Sequence, residues 1–193
     1  MRLASDNVHR LLVAGRAETK IALPVDAFVA ICALPAVPTW SNLRLQRAKC
    51  MVALGFLAYL WRREIIELDV CDVDVAADGL AYDLIIRQAK NEQYVSGRET
   101  PVGRVGLPMC AGHAIDAWLH VVGLRHDRAR CVKSTRPWER CVVCGPLFVR
   151  LGGRPPKPSR EPCGKGVVTA ELRSLLAQIP SFEDDHDSAG VCY

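Results

Sequence analysis

Residues able to do chemistry fall in several places along the chain. Cys141 and Cys144 form a Cys-x-x-Cys pair, in a stretch that also carries His126, Cys131 and, beyond it, Cys163. Thiolates at that spacing can chelate one tetrahedral zinc ion, with His126, Cys131 or Cys163 completing the set. A single pair without a second paired half is a weak signal that reads first as free thiols, so no resident metal or cofactor is expected. Arg62-Arg63-Glu64 interrupts a long apolar run, and Lys90 lies in the polar stretch Gln88-Ala89-Lys90-Asn91-Glu92-Gln93. Guanidinium and ammonium groups at such positions suit phosphate. His113 and His120 share a helix face, but no acid or Cys partner sits in local register, so they read as structural histidines.

Elements that must position these groups follow from hydrophobic periodicity. From Arg47 to Asp72 runs RAKCMVALGFLAYLWRREIIELDVCD, in which twelve uncharged residues separate Lys49 from Arg62. A run apolar on every side reads as a helix buried all round. Its length of about 18 Å is well short of the ~20 residues a bilayer needs, so no membrane span is expected. Ser41 or Asn42 caps this helix, and Arg62, Arg63 and Glu64 end it where it meets the surface. Ile65 to Leu68 then carries a second amphipathic segment. A first helix starts at Pro24 and runs to Leu34, stopped by Pro35 and Pro38. Asp78-Gly79 signals a turn, Leu80 to Arg87 a strand, and Thr100 to Leu107 a weaker second strand, which puts Lys90 near the mouth of a hairpin. Ala111 to Gly123 is a helix with Ile115, Trp118, Leu119 and Val122 on one face and Gly123 as its C-cap. Val167 to Ile179 is an amphipathic helix with Leu172, Leu175, Leu176 and Ile179 inward. These elements predict an α+β fold, mostly helical, with helices around a buried central helix and a small antiparallel β-hairpin or sheet.

At 193 residues and 50% hydrophobic content the chain suits one domain, spanning 21–180. Residues 1–20 read as a loose lead, 124–162 as a basic, proline-rich loop, and 181–193 as an acidic disordered tail. The net charge of +4 is unevenly spread: from Arg125 to Lys165 eleven Lys and Arg face Asp127, Glu139 and Glu161 alone. Such a block favours a phosphate-rich partner or simply solubility. The nine cysteines include Cys32, Cys50 and Cys71 in apolar contexts, where they read as small core residues. No secretory signal opens the sequence, so the expected setting is intracellular and reducing: the nucleus in a eukaryote, otherwise the cytoplasm.

Arg47 to Val73 followed by Gly79 to Gln93 resembles the first half of the catalytic domain of tyrosine recombinases, the phage-integrase family. The likeness continues through Val105-Gly106-Leu107-Pro108 as a strand, Cys110 to Gly123, Gly145-Pro146-Leu147-Phe148 and Val167 to Ile179, covering roughly 20–180. The resemblance implies a mobile-element protein of DNA recombination and integration, acting by strand cleavage and rejoining through a 3′-phosphotyrosine, without metal or nucleotide. It implies Lys90 as the general acid for the leaving 5′ oxygen. The family's phosphate-gripping Arg stands three residues before the Glu; here that place, before Glu64, holds Trp61, and Arg62 is the candidate displaced cation. His186-Asp187-Ser188-Ala189 puts Ala where a further catalytic Arg belongs, and Tyr193 does not match the nucleophile. The expectation is therefore a truncated, degenerate recombinase-like fragment, inactive alone, that binds duplex DNA through Arg62, Arg63, Arg87 and Lys90, with or without forming a homo-oligomer on the DNA. No small-molecule substrate is expected. The alternatives are a non-catalytic DNA-binding module and a zinc-stabilised interaction domain using Cys131, Cys141 and Cys144.

Overall fold

The computed structural model describes residues 23–37, 40–87, 97–124, 131, 140–153 and 155–179. The lead 1–20, the tail 181–193, Lys90, His126, His186 and Tyr193 lie outside the described residues.

Helix α1 spans Val25–Ala33, with Pro24 at its N-cap and Ala27, Phe28, Ile31 and Cys32 buried. It lays Phe28 on Phe56 of α2, the rings stacked at 4.3 Å. Helix α2, Asn42–Leu57, begins where the Ser41 side chain accepts the Arg44 amide at 3.2 Å, satisfying one of its unpaired N–H groups. Every residue from Cys50 to Gly55 is buried, as an all-round apolar run requires.

The helix does not, however, run on to Arg62. Ala58 and Leu60 both donate their amides to the Leu54 carbonyl, at 3.1 and 3.4 Å, and Tyr59 between them is left-handed at φ 54°. The chain turns there, and Arg62 and Arg63 open a new short helix, α3, Arg62–Glu67. The apolar run gave no hint of this stop because Ala58 and Leu60 remain buried through the turn.

A 3-10 turn at Val70–Asp72 leads into β1, Val73–Val75, the edge of a three-stranded antiparallel sheet with β2, Ala81–Ile86, in the middle and β3, Arg98–Gly103, outside. Along β2 the buried residues alternate, Tyr82, Leu84 and Ile86 facing the core. Register runs from Ala81 opposite Gly103 to Ile86 opposite Arg98. Strand β3 therefore begins earlier than Thr100 and stops before Val105-Gly106-Leu107-Pro108, which was expected to be a strand. The last link is the Arg104 amide to the Leu80 carbonyl at 2.7 Å, after which Val105 and Leu107 are exposed.

Helix α4, Ala111–Val122, ends at Gly123, which is left-handed at φ 70°. Its first turn crosses the exit of β3 so closely that a Cβ on Gly112 would stand 2.5 Å from the Gly103 carbonyl oxygen. Trp118 is wholly buried, donates Nε1 to the Leu147 carbonyl at 2.9 Å and stacks near Phe148.

The stretch expected as a structureless loop to residue 162 carries a second sheet, the bulged hairpin of β4, Val149–Gly152, and β5, Lys157–Pro162. The proline and charge content of KPSREP hides a strand that is exposed almost throughout. Helix α5, Lys165–Leu176, closes the core with Val168, Leu172, Leu175 and Leu176. A buried ion pair, Arg47 on α2 with Glu171 on α5, joins the two helices, and Arg47 also donates Nη1 to the Val149 carbonyl at 2.8 Å. Among the described residues the result is an α+β fold of five helices and two small antiparallel sheets. Among the described residues no helix is long and apolar enough to cross a membrane.

Candidate functional site

The turn at Tyr59 makes the polar corner of the molecule. Glu64, 3% exposed, folds back so that its Oε2 accepts the Trp61 amide at 2.8 Å, capping α3 with its own third residue. The same oxygen lies 3.5 Å from Nη2 of Arg98, the first residue of β3. Since Arg98 is paired with Ile86, the last residue of β2, this contact brings the mouth of the β2–β3 hairpin to the α3 corner. Lys90 belongs to the span between those strands but lies outside the described residues.

The cations named from the sequence meet different fates. Arg63 is exposed and pairs with Glu67 one turn on, at 2.7 Å. Arg62 is half-buried, its Nη1 donating to Thr169 Oγ1 of α5 at 2.7 Å. Arg87 is drawn inward: its Nη2 lies 2.9 Å from Asp69, 2.8 Å from Asp72 and 2.7 Å from the Glu67 carbonyl. Two carboxylates neutralise it, so its charge is spent mainly on the fold. Arg98, which sequence reasoning missed, is an exposed cation beside Arg63's helix. Nothing local marks it, because a strand-opening Arg looks like any solvated charge.

Asp69 is the hub beneath this corner. Fully buried, it receives Arg87 and, at Oδ1, Arg140 Nη1 at 2.8 Å, while Oδ2 accepts the Cys141 amide at 2.7 Å. A carboxylate out of water needs this many donors to be tolerated. Arg140 further donates Nη2 to the Ile66 carbonyl at 2.7 Å, so the chain entering the Cys141 turn is tied to α3.

The three thiols considered from the sequence do come together. Cys131, Cys141 and Cys144 join a fourth, Cys71 of the 3-10 turn, with all four sulfurs within 4.8 Å of one another. Cys163 is buried elsewhere in the core, its amide on the Phe148 carbonyl. His113 and His120 are both exposed on α4. Cys32 and Cys50 are buried core residues as expected; burial pushes the Cys32 thiol up to about 11 against the smaller pull of Lys49. Cys71 is buried too, but its sulfur faces other sulfurs. Only topology reveals that, since its cluster partners lie far along the chain.

No protein-family model matches the chain, and no curated protein matches it.

Proposed function

We propose that the chain is a DNA-binding domain built on the plan of the tyrosine recombinase catalytic domain, and that it does not itself cut DNA. The observation that carries the reading is the approach of Arg98, the first residue of β3, to Glu64 of α3 at 3.5 Å, which joins two exposed or corner-lying cationic stretches of the chain. The order of elements also supports it: a buried helix turning into a short Glu-bearing helix, then a three-stranded antiparallel sheet, then a helix packed back on it. Arg63 and Arg98 are exposed there, and half-buried Arg62 stands between α3 and α5.

The chemistry of the site argues for binding without cleavage. Phosphoryl transfer to a hydroxyl nucleophile needs cations fixed where negative charge develops. Trp61 occupies the place of the first such cation, and an indole can neither ion-pair nor donate bidentately to phosphate. Losing one preorganised donor costs on the order of a hundredfold or more in rate. Arg62, one residue on, donates Nη1 to Thr169 Oγ1 of α5 at 2.7 Å.

The test uses a labelled duplex and a nicked suicide substrate with the full chain. Binding of the duplex without any covalent protein–DNA product is expected, with Arg63→Ala and Arg98→Ala each binding more weakly. A covalent adduct would overturn the non-cleaving half of the proposal, and wild-type affinity in both variants would overturn the interface.

A further inference from the structure

Four cysteines converge from three separate stretches of chain, their sulfurs all within 4.8 Å of one another. Cys71 rides the 3-10 turn after α3; Cys141 and Cys144 lie on one tight turn; Cys131 comes from the basic connection that follows α4. The first two stretches are locked together by two backbone bonds, the Val70 amide to the Gly145 carbonyl at 3.0 Å and the Leu147 amide to the Leu68 carbonyl at 2.9 Å, and by the Cys141 amide donating to the buried Asp69 carboxylate at 2.7 Å. Three thiols are thus fixed by the fold itself.

We propose that Cys71, Cys131, Cys141 and Cys144 bind one structural zinc ion, which ties Cys131 and the Cys141–Cys144 turn to the 3-10 turn after α3. Zinc at about 2.3 Å from each of four sulfurs sets the edges of the tetrahedron at roughly 3.8 Å. The sulfurs here lie within 4.8 Å of one another, and Cys131 Sγ stands 3.5 Å from Cys141 Sγ, so small side-chain movements close the site.

The turn is shaped for a thiolate. The Cys144 amide points at Cys141 Sγ at 3.4 Å, the Gly145 amide closes on the Cys141 carbonyl at 2.9 Å, and Gly145 is left-handed at φ 69°. A side chain at position 145 would strain that backbone, so the residue after the second Cys is one that permits the turn. Backbone N–H groups aimed at sulfur hold the negative charge that a ligating thiol carries.

Thiolate ligands favour zinc over magnesium or calcium, which take oxygen. On binding, the thiol protons leave to solvent and four S–Zn bonds replace four S–H bonds; no electron moves. Closed by four protein ligands, the ion has no position for water or substrate, which makes the site structural rather than catalytic. The assignment is independent of DNA binding: either can fail while the other stands.

The experiment measures metal on the full chain, produced without a metal-binding tag and purified without chelator. About one zinc per chain is expected, resistant to dialysis and released in step with thiol modification by an organomercurial. Cys71→Ser and Cys144→Ser should lose the ion, and Cys50→Ser should keep it. Because a cysteine variant can fail to fold, the wild type is also reconstituted with cobalt, whose thiolate charge-transfer absorption reports sulfur ligation in the intact protein. A metal-free wild type, zinc retained in Cys71→Ser, a cobalt spectrum without the thiolate band, or a mass lower by two hydrogens from a Cys131–Cys141 disulfide in place of the metal would each overturn the assignment.

Discussion

Glu64 Oε2 serves two partners at once, the Trp61 amide at 2.8 Å and Arg98 Nη2 at 3.5 Å, so one buried carboxylate both caps α3 and anchors the start of β3. The two duties separate by substitution. Glu64→Gln can still accept the amide but no longer pairs with a cation, whereas Glu64→Ala loses both. Loss of a helix cap costs ~1 kcal/mol, and stranding a buried donor adds about 1–3 kcal/mol. Urea unfolding should therefore rank wild type above Glu64→Gln above Glu64→Ala. Equal stability of the two variants would show that capping contributes nothing.

Arg47 and Glu171 form a buried pair between α2 and α5, with Arg47 Nε 3.3 Å from Glu171 Oε2 and Arg44 Nε 3.6 Å from Oε1 on the exposed side. Removing one partner leaves a desolvated charge. Glu171→Ala should cost about 3–5 kcal/mol, whereas the double change Arg47→Met with Glu171→Leu should recover most of that loss. Additive destabilisation in the double variant would contradict the pairing.

Tyr59 is left-handed and 82% exposed, so its side chain contributes little packing while its backbone carries strain. That conformation costs an L-residue about 1–2 kcal/mol, and Gly returns roughly 0.5–1 kcal/mol of it as unfolded-state entropy. Tyr59→Gly should raise the urea midpoint by a small amount, and Tyr59→Val should lower it. A midpoint that falls in the Gly variant would mean that the ring holds the turn.

How far the sequence foretold the molecule depends on the range of each interaction. Ser41 as a cap, Gly123 as a stop and the inward faces of α4 and α5 were legible because they are set by neighbours within a turn or two. The end of α2 at Leu57 was not, since Leu60 re-enters the core after the turn and keeps the apolar pattern unbroken. The β4–β5 hairpin was hidden by prolines and charges that an exposed strand tolerates. Arg87 looked like a free cation because Asp69 and Asp72 approach it only in three dimensions, and Cys71 looked like a core thiol because its partners come from 131 to 144.

Asp116 of α4, Arg104 beyond β3 and Tyr82 of β2 form a cluster that titrates at both ends of the pH scale. Burial pushes the Asp116 carboxyl up, but hydrogen bonds from Arg104 at 2.8 Å and Tyr82 at 2.5 Å, with the Arg104 charge, outweigh it and hold it below its ordinary 3.8. A depressed carboxyl stabilises the fold above its unfolded value and loses that contribution as pH falls through the folded one. Burial, then the bond to Asp116, pushes the Tyr82 phenol from 10.0 up to about 12. Its contribution is complete below pH 10.0 and is lost as pH rises through about 12. Unfolding midpoints across pH should show both limbs, with Asp116→Asn weakening the acid one and Tyr82→Phe the alkaline one. Unchanged limbs in these variants would assign them to other groups.

Affinity for duplex DNA as a function of salt probes the interface most directly. If Arg63, Arg98 and the groups around them meet phosphates, log affinity falls linearly with log salt by roughly 0.9 per contact, and Arg98→Ala flattens the slope by about one unit. A line that is flat for the wild type, or a slope that Arg98→Ala leaves untouched, would contradict the proposal that this corner faces nucleic acid.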